Sequence, residues 1–143
     1  MLYEDNDVRQ EIAIAILWEM FREHGYKHRD LVPALVSAIK ANVDNNPMVV
    51  MDGMGLLEDL KESSAFEPLV EFLRSDEEEI RVGAVEALAN LKDSRAVPHI
   101  AHLLNDEVED VRNRSLWALN YIGTVEALSA IEKWKTKNET HHP

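Results

Sequence analysis

Shifted by 31 positions, the segment that begins at Ala65 reads onto the segment that begins at Ala96. Leu69 falls on Ile100, Phe72 on Leu103, Leu73 on Leu104, Ile80 on Val111, Arg81 on Arg112, Ala87 on Ala118, Leu88 on Leu119 and Leu91 on Ile122. A third start at Ala127 keeps the spacing, with Leu128 on Val97, Ile131 on Ile100 and Trp134 on Leu103. Upstream, the run from Val49 matches the run from Ile80 at the same offset, placing Leu57 on Leu88 and Leu60 on Leu91. The run from Leu31 matches the run from Ala65 at an offset of 34, the extra residues falling in the link before Pro47, where lengthening a loop costs little. A period of this length restricts the chain to repeat architectures, in which each unit buries its apolar face only against its neighbours.

Each unit reads as two helices. The first carries Phe66, Leu69, Val70, Phe72 and Leu73, and the second Ile80, Ala84, Ala87, Leu88 and Leu91, both at helical spacing. Polar turns separate them. Ser75 and Asp76 are placed to cap a helix, Gly25 and Gly123 to end one, and Pro47, Pro68 and Pro98 to start one. The expectation is an all-α chain of eight helices. A second-type helix over about 7–24 precedes three pairs over about 29–61, 65–92 and 96–123, and a first-type helix over about 124–137 follows. One domain would span 1–137, with 138–143 as a disordered tail.

Net charge is −12, from 15 Lys and Arg against 27 Asp and Glu. An acidic surface repels phosphate backbones, so nucleic acid is not an expected partner; a basic protein would be drawn in. The bland alternative is that the surplus charge serves solubility. The absence of Cys fits a reducing compartment, and the N-terminal residues lack the basic-then-apolar pattern of a signal peptide, so a cytoplasmic location is expected. The apolar run Ile12 to Trp18 is too short to span a bilayer, so no membrane partner is expected.

The residues Asp93, Arg95, Ala96 and Val97 at the turn, the pairs Val8–Arg9, Ile80–Arg81 and Val111–Arg112, and the pairs Ala87–Leu88 and Ala118–Leu119 resemble a HEAT-like repeat of the phycobilisome-lyase type. The resemblance is good over 49–134 and weak over 7–48. It implies an armadillo-like α-solenoid of about four helix pairs in a right-handed superhelix. It also implies that the recurring Arg81 and Arg112 are structural, paired with acids between repeats. Val50 stands at the matching position of the first full pair and interrupts that ladder. HEAT-like hydroxylases carry His–Glu dyads where this chain has Gly83–Ala84 and Arg114–Ser115. HEAT-like DNA glycosylases have a basic concave face, which this acidic chain does not resemble. No cofactor, metal site or enzymatic activity is expected.

In that family the second helices line the concave side. With Ile80, Ala84, Ala87, Leu88 and Leu91 inward, helical stepping turns positions 82, 83, 86 and 90 outward. Across the repeats those columns read Gln10, Met51, Val82, Asn113; Glu11, Asp52, Gly83, Arg114; Ile14, Gly55, Glu86, Trp117; and Trp18, Asp59, Asn90, Tyr121. The candidate partner-binding residues are therefore Trp117, Tyr121, Arg114, Asn113, Glu86, Asn90, Asp52, Gly55, Asp59 and Trp18. Trp117 and Tyr121 form an aromatic anchor of the kind favoured at interfaces, unless Trp117 packs against the last helix and Trp18 closes the other end. Gly55, one turn from Asp52 and Asp59, leaves an acidic notch suited to a Lys or Arg. Gly53 aligns with the inward Ala84 and suits close packing.

Other chemistry is thin. His99 and His102 are three apart and suit either a metal or a plain polar surface. The run Asp76 to Glu79 suits a solvated helix start or a Lys-rich docking segment. The expected function is a non-catalytic protein–protein interaction scaffold. The rivals are an immunity or inhibitor protein that neutralises a basic toxin, and a lyase or chaperone-like subunit for a cofactor-carrying protein. Association of the chain with itself is left open.

Overall fold

The computed structural model describes residue 15 and residues 31–139 except 45 and 62. Among the described residues there are seven α-helices, three short 3-10 turns and no strand. The helices are α1 (Leu31–Asn42), α2 (Pro47–Leu60), α3 (Phe66–Phe72), α4 (Glu78–Leu91), α5 (Val97–His102), α6 (Glu109–Ile122) and α7 (Val125–Glu139). Apart from residue 15, the helix expected over 7–24 lies outside the described residues, and so does Trp18. The chain forms two compact units, Met1–Pro68 and Leu69–Pro143.

In the first unit α1 packs against α2. Val32, Leu35 and Ile39 of α1 are buried at spacings of one and two turns, and Asn42 ends the stripe. Asn42 is 1% exposed, and its Nδ2 donates to the Ala38 carbonyl at 2.7 Å, which satisfies a side chain otherwise costly to bury. Asn46 caps α2 by accepting from the Val49 N–H, and Pro47 occupies the first turn, where a missing N–H costs nothing. Val49, Val50, Met54, Leu56, Leu57 and Leu60 form the buried face of α2. Gly53 belongs to the same face: a Cβ there would come within 2.6 Å of Ile39 Cγ1.

In the second unit α6 is the hub, packing against α4, α5 and α7, while α5 also packs against α7. Ile80, Ala84, Ala87 and Leu88 are buried as the periodicity requires; Leu91 is half-buried. Burial of α4 is broader than one stripe. Val85 and Ala89 are fully buried, and Gly83, which helical stepping turns outward, is buried too. The first-type helices are short. α5 has six residues and tightens into a 3-10 turn over Leu103–Asn105. α4 begins at Glu78 rather than at Ser75 or Asp76; Ser75 Oγ accepts from the Glu77 N–H in the preceding turn. α7 continues to Glu139, and residues 140–143 lie outside the described residues.

The period recurs in the helix ends. Lys61, Lys92 and Gly123, spaced by 31, all adopt the left-handed conformation, with φ of 50°, 51° and 67°. Their N–H groups donate to the Glu58, Ala89 and Leu119 carbonyls, closing α2, α4 and α6.

The arginines hold the turns. Arg81, only 7% exposed, donates through Nη1 to the Ser75 and Asp76 carbonyls at 2.8 and 3.1 Å. Its Nη2 donates to Asp106 Oδ1 at 3.1 Å, and Nε lies 3.1 Å from Asp106 Oδ2. That second approach is too bent to count as a hydrogen bond, so Nε gains Coulomb attraction without an acceptor. Asp106 in turn accepts from the Val108 N–H at 2.9 Å, so one carboxylate ties the turn before α6 to the start of α4. Arg112 repeats the local half of this arrangement, donating to the Asp106 and Glu107 carbonyls at 2.7 and 3.1 Å. Its recorded partners are carbonyl oxygens and not a carboxylate, because the residue 31 beyond Asp106 is Lys137. Outside these two turns, the Arg95 guanidinium hydrogen-bonds the Asp93 carboxylate and holds it below the usual carboxylate range.

Candidate functional site: the outward face of the second helices

Outward residues of α4 and α6 meet in the second unit. Arg114, Trp117 and Tyr121 lie within one arc of α6, because steps of three and four residues nearly complete a turn. Trp117 and Tyr121 stack with ring centroids 5.2 Å apart and planes inclined by 18°. Both rings stay in solvent, Trp117 at 39% and Tyr121 at 44% exposure, so Trp117 does not belong to the core.

Cations bracket the pair. The Arg114 guanidinium lies 5.4 Å from the Trp117 ring centroid, and the Lys92 ammonium 4.7 Å over the Tyr121 ring. Arg114 Nε also lies 3.1 Å from Glu86 Oε1, with both side chains partly exposed. Exposed cation–π contacts are worth about 0.5–1 kcal/mol each and aromatic stacking about 0.5–1.5 kcal/mol. Together they hold two large side chains in one arrangement, which lowers the ordering cost of binding something to them. Asn90 on α4 and Asn113 on α6 are exposed in the same unit.

Six expected residues thus lie on these two helices: Glu86, Asn90, Asn113, Arg114, Trp117 and Tyr121. Four of them, Glu86, Arg114, Trp117 and Tyr121, form one contact chain. Lys92 joins that chain and was missed. Its only sequence signal is its place in the repeat, just past the end of α4 at the position of Gly123. Asp52, Gly55 and Asp59 lie on α2 in the first unit. The two acids are exposed, Gly55 is half-buried, and a Cβ at Gly55 would meet nothing within 4 Å. The notch read from the sequence is open space.

Other surfaces carry less chemistry. His99 and His102 line a shallow cavity of about 330 Å³ with Val70, Leu73, Arg74, Pro98 and Leu103. No group of three or more metal-ligating side chains occurs among the described residues, and none of their helices is long and apolar enough to cross a membrane.

No curated protein matches the chain. The family model for HEAT repeats matches residues 66–140, the span from α3 to the end of α7 that holds the arginine-clamped turns and the aromatic pair. That is just over half of the chain, and the chain belongs to the HEAT-repeat family.

Proposed function

We propose that the protein is a non-catalytic interaction scaffold whose second-helix face holds a protein partner, with Trp117 and Tyr121 as the anchor. HEAT repeats generally mediate protein–protein interaction. The observation that carries the reading is the stacked, cation-bracketed pair left in solvent on a folded helix. A Trp and a Tyr buried together in a complex supply much of an interface's binding energy. Glu86, Asn90, Asn113 and Arg114 form the polar surround of the anchor. Asp52, Gly55 and Asp59 on α2, and Trp18, complete the set of contact residues in this reading. The α-solenoid arrangement, with a single repeat domain over 1–137, belongs to it too, supported by a register that recurs from Leu31 to Trp134. Kinship with the phycobilisome-lyase type of repeat rests on the turn residues Asp93 to Val97. The net charge of −12 supports fast encounter with a basic protein, and an immunity role against a basic toxin is the reading that this charge favours second.

The test replaces Tyr121 with a photo-reactive phenylalanine analogue in the source cells. A discrete cross-linked protein is expected, lost when Trp117→Ala is added and unaffected when Glu132→Ala is added on the exposed side of α7. Cross-linking that ignores Trp117→Ala would overturn the reading.

A further inference from the structure

The chain is strongly acidic, yet the contact chain around the aromatic pair is not. Its charged members are Lys92, Arg114 and Glu86, two cations against one anion. Lys92 is exposed, and among the described residues its ammonium stands over the Tyr121 ring and forms no ion pair, with no carboxylate within 4.0 Å. Arg114 pairs with Glu86 by charge, Nε lying 3.1 Å from Oε1; among the described residues no acceptor hydrogen-bonds its Nη1 or Nη2. Two cations therefore stand over aromatic rings with donors unspent. A guanidinium held by a ring and by one carboxylate presents its remaining N–H groups in a fixed fork, the geometry that suits a second carboxylate. The ring edges beside it offer apolar contact.

We propose that this stripe binds a partner segment that presents a carboxylate side chain next to an apolar one: the carboxylate on the Nη1 and Nη2 groups of Arg114, the apolar side chain on the edges of Trp117 and Tyr121, with Lys92 adding positive charge at the Tyr121 end. The inference rests on the scaffold reading above and gives its anchor a specificity. It assigns this patch a ligand charge opposite to the one that the net charge of the chain favours. The overall field governs encounter at long range, whereas the two cations act at contact distance, where screening is weakest.

A random dodecapeptide display library, selected on the full chain and counter-selected on the Trp117→Ala protein, is the probe. The expected consensus is Asp or Glu adjacent to an aromatic or branched aliphatic residue. Binding of a synthetic consensus peptide should weaken at least tenfold in the Lys92→Gln, Arg114→Gln double variant. It should weaken by a smaller factor in 0.5 M salt than from loss of the two cations, since salt screens charges at contact distance only in part. The reversed variant, Lys92→Glu with Arg114→Glu, should select Lys or Arg in place of the acid. Circular dichroism and melting of each variant verify that the helices persist. Trp117-dependent peptides rich in Lys or Arg would overturn the proposed ligand chemistry and leave the anchor standing. Selection that yields no Trp117-dependent peptide would overturn both.

Discussion

Helices α2 and α6 occupy the same place in the repeat and turn opposite chemistry to solvent. Two periods separate Asp52 from Arg114, Gly55 from Trp117 and Asp59 from Tyr121. One helix therefore presents acid, gap and acid where the other presents a cation and two rings. The inward positions tell a different story. Val49 and Val111 are both buried, as are Leu57 and Leu119, Leu56 and Ala118, and Gly53 and Ser115. The last of these is a position reserved for small residues: Ala84 stands there in α4, and Ser115 satisfies its hydroxyl by donating to the Val111 carbonyl at 2.7 Å. The repeat fixes a frame of size and polarity on one face and leaves the other face free to carry recognition.

The largest effect should come from the frame, and it should be equal in both helices. Leu57 and Leu119 are each 0% exposed, so Leu57→Ala and Leu119→Ala should each cost about 2–5 kcal/mol in urea denaturation. Leu88→Ala, at the middle copy of the same position, should fall in that range too. A cost below about 1 kcal/mol at either end would break the equivalence, because it would mean that one copy of the position is not core.

Next comes the arginine clamp of the second unit. Arg81→Ala removes the partner of a carboxylate that is itself 9% exposed, leaving Asp106 with an uncompensated charge at the turn. A loss of about 3 kcal/mol is expected, as for other buried pairs broken on one side. Arg112→Ala removes two hydrogen bonds to carbonyls and no ion pair, so about 1 kcal/mol is expected. Equal losses from the two arginines would show that Asp106 contributes nothing and that the clamp is purely local.

How much of this was legible depends on whether a feature is set by local spacing or by contact. The inward stripe Ile80, Ala84, Ala87, Leu88 follows from helical period alone, and so do the outward columns that contain Trp117 and Tyr121. Gly123 announces a helix end because only glycine enters the left-handed region freely. Lys61 and Lys92 adopt the same conformation without any such signal; the repeat, not the residue, places them there. The extra burial of α4 falls on Gly83, Val85 and Ala89: glycine and alanine leave little hydrophobic contrast to read, and Val85 lies off the stripe of Ile80, Ala84, Ala87 and Leu88. Lys92 was missed at the site for the remaining reason: its ring contact joins the end of α4 to the last turn of α6, and no local pattern encodes that. The partner of Arg81 was equally invisible as a specific residue, since Asp106 is 25 positions away among many acids.

The smallest effect gives the sharpest sign test, because it sets two residues of one helix against each other. Gly53 and Gly55 both sit inside α2, where glycine costs about 1 kcal/mol relative to alanine. At Gly53 the added methyl would come 2.6 Å from Ile39 Cγ1, the methylene of a fully buried β-branched side chain that is stiff at χ1. Overpacking of this kind costs about 1–3 kcal/mol, so Gly53→Ala should be destabilising despite the gain in helix propensity. At Gly55 the methyl meets nothing, so Gly55→Ala should raise stability by about 0.5–1 kcal/mol. Nothing in the packing of α2 explains a glycine there. If Gly55→Ala stabilises the chain as expected, the same variant measured for partner binding decides what the gap is for. Loss of binding with a gain in stability would make the acidic notch part of the recognition face, while unchanged binding would confine recognition to the aromatic face of α6.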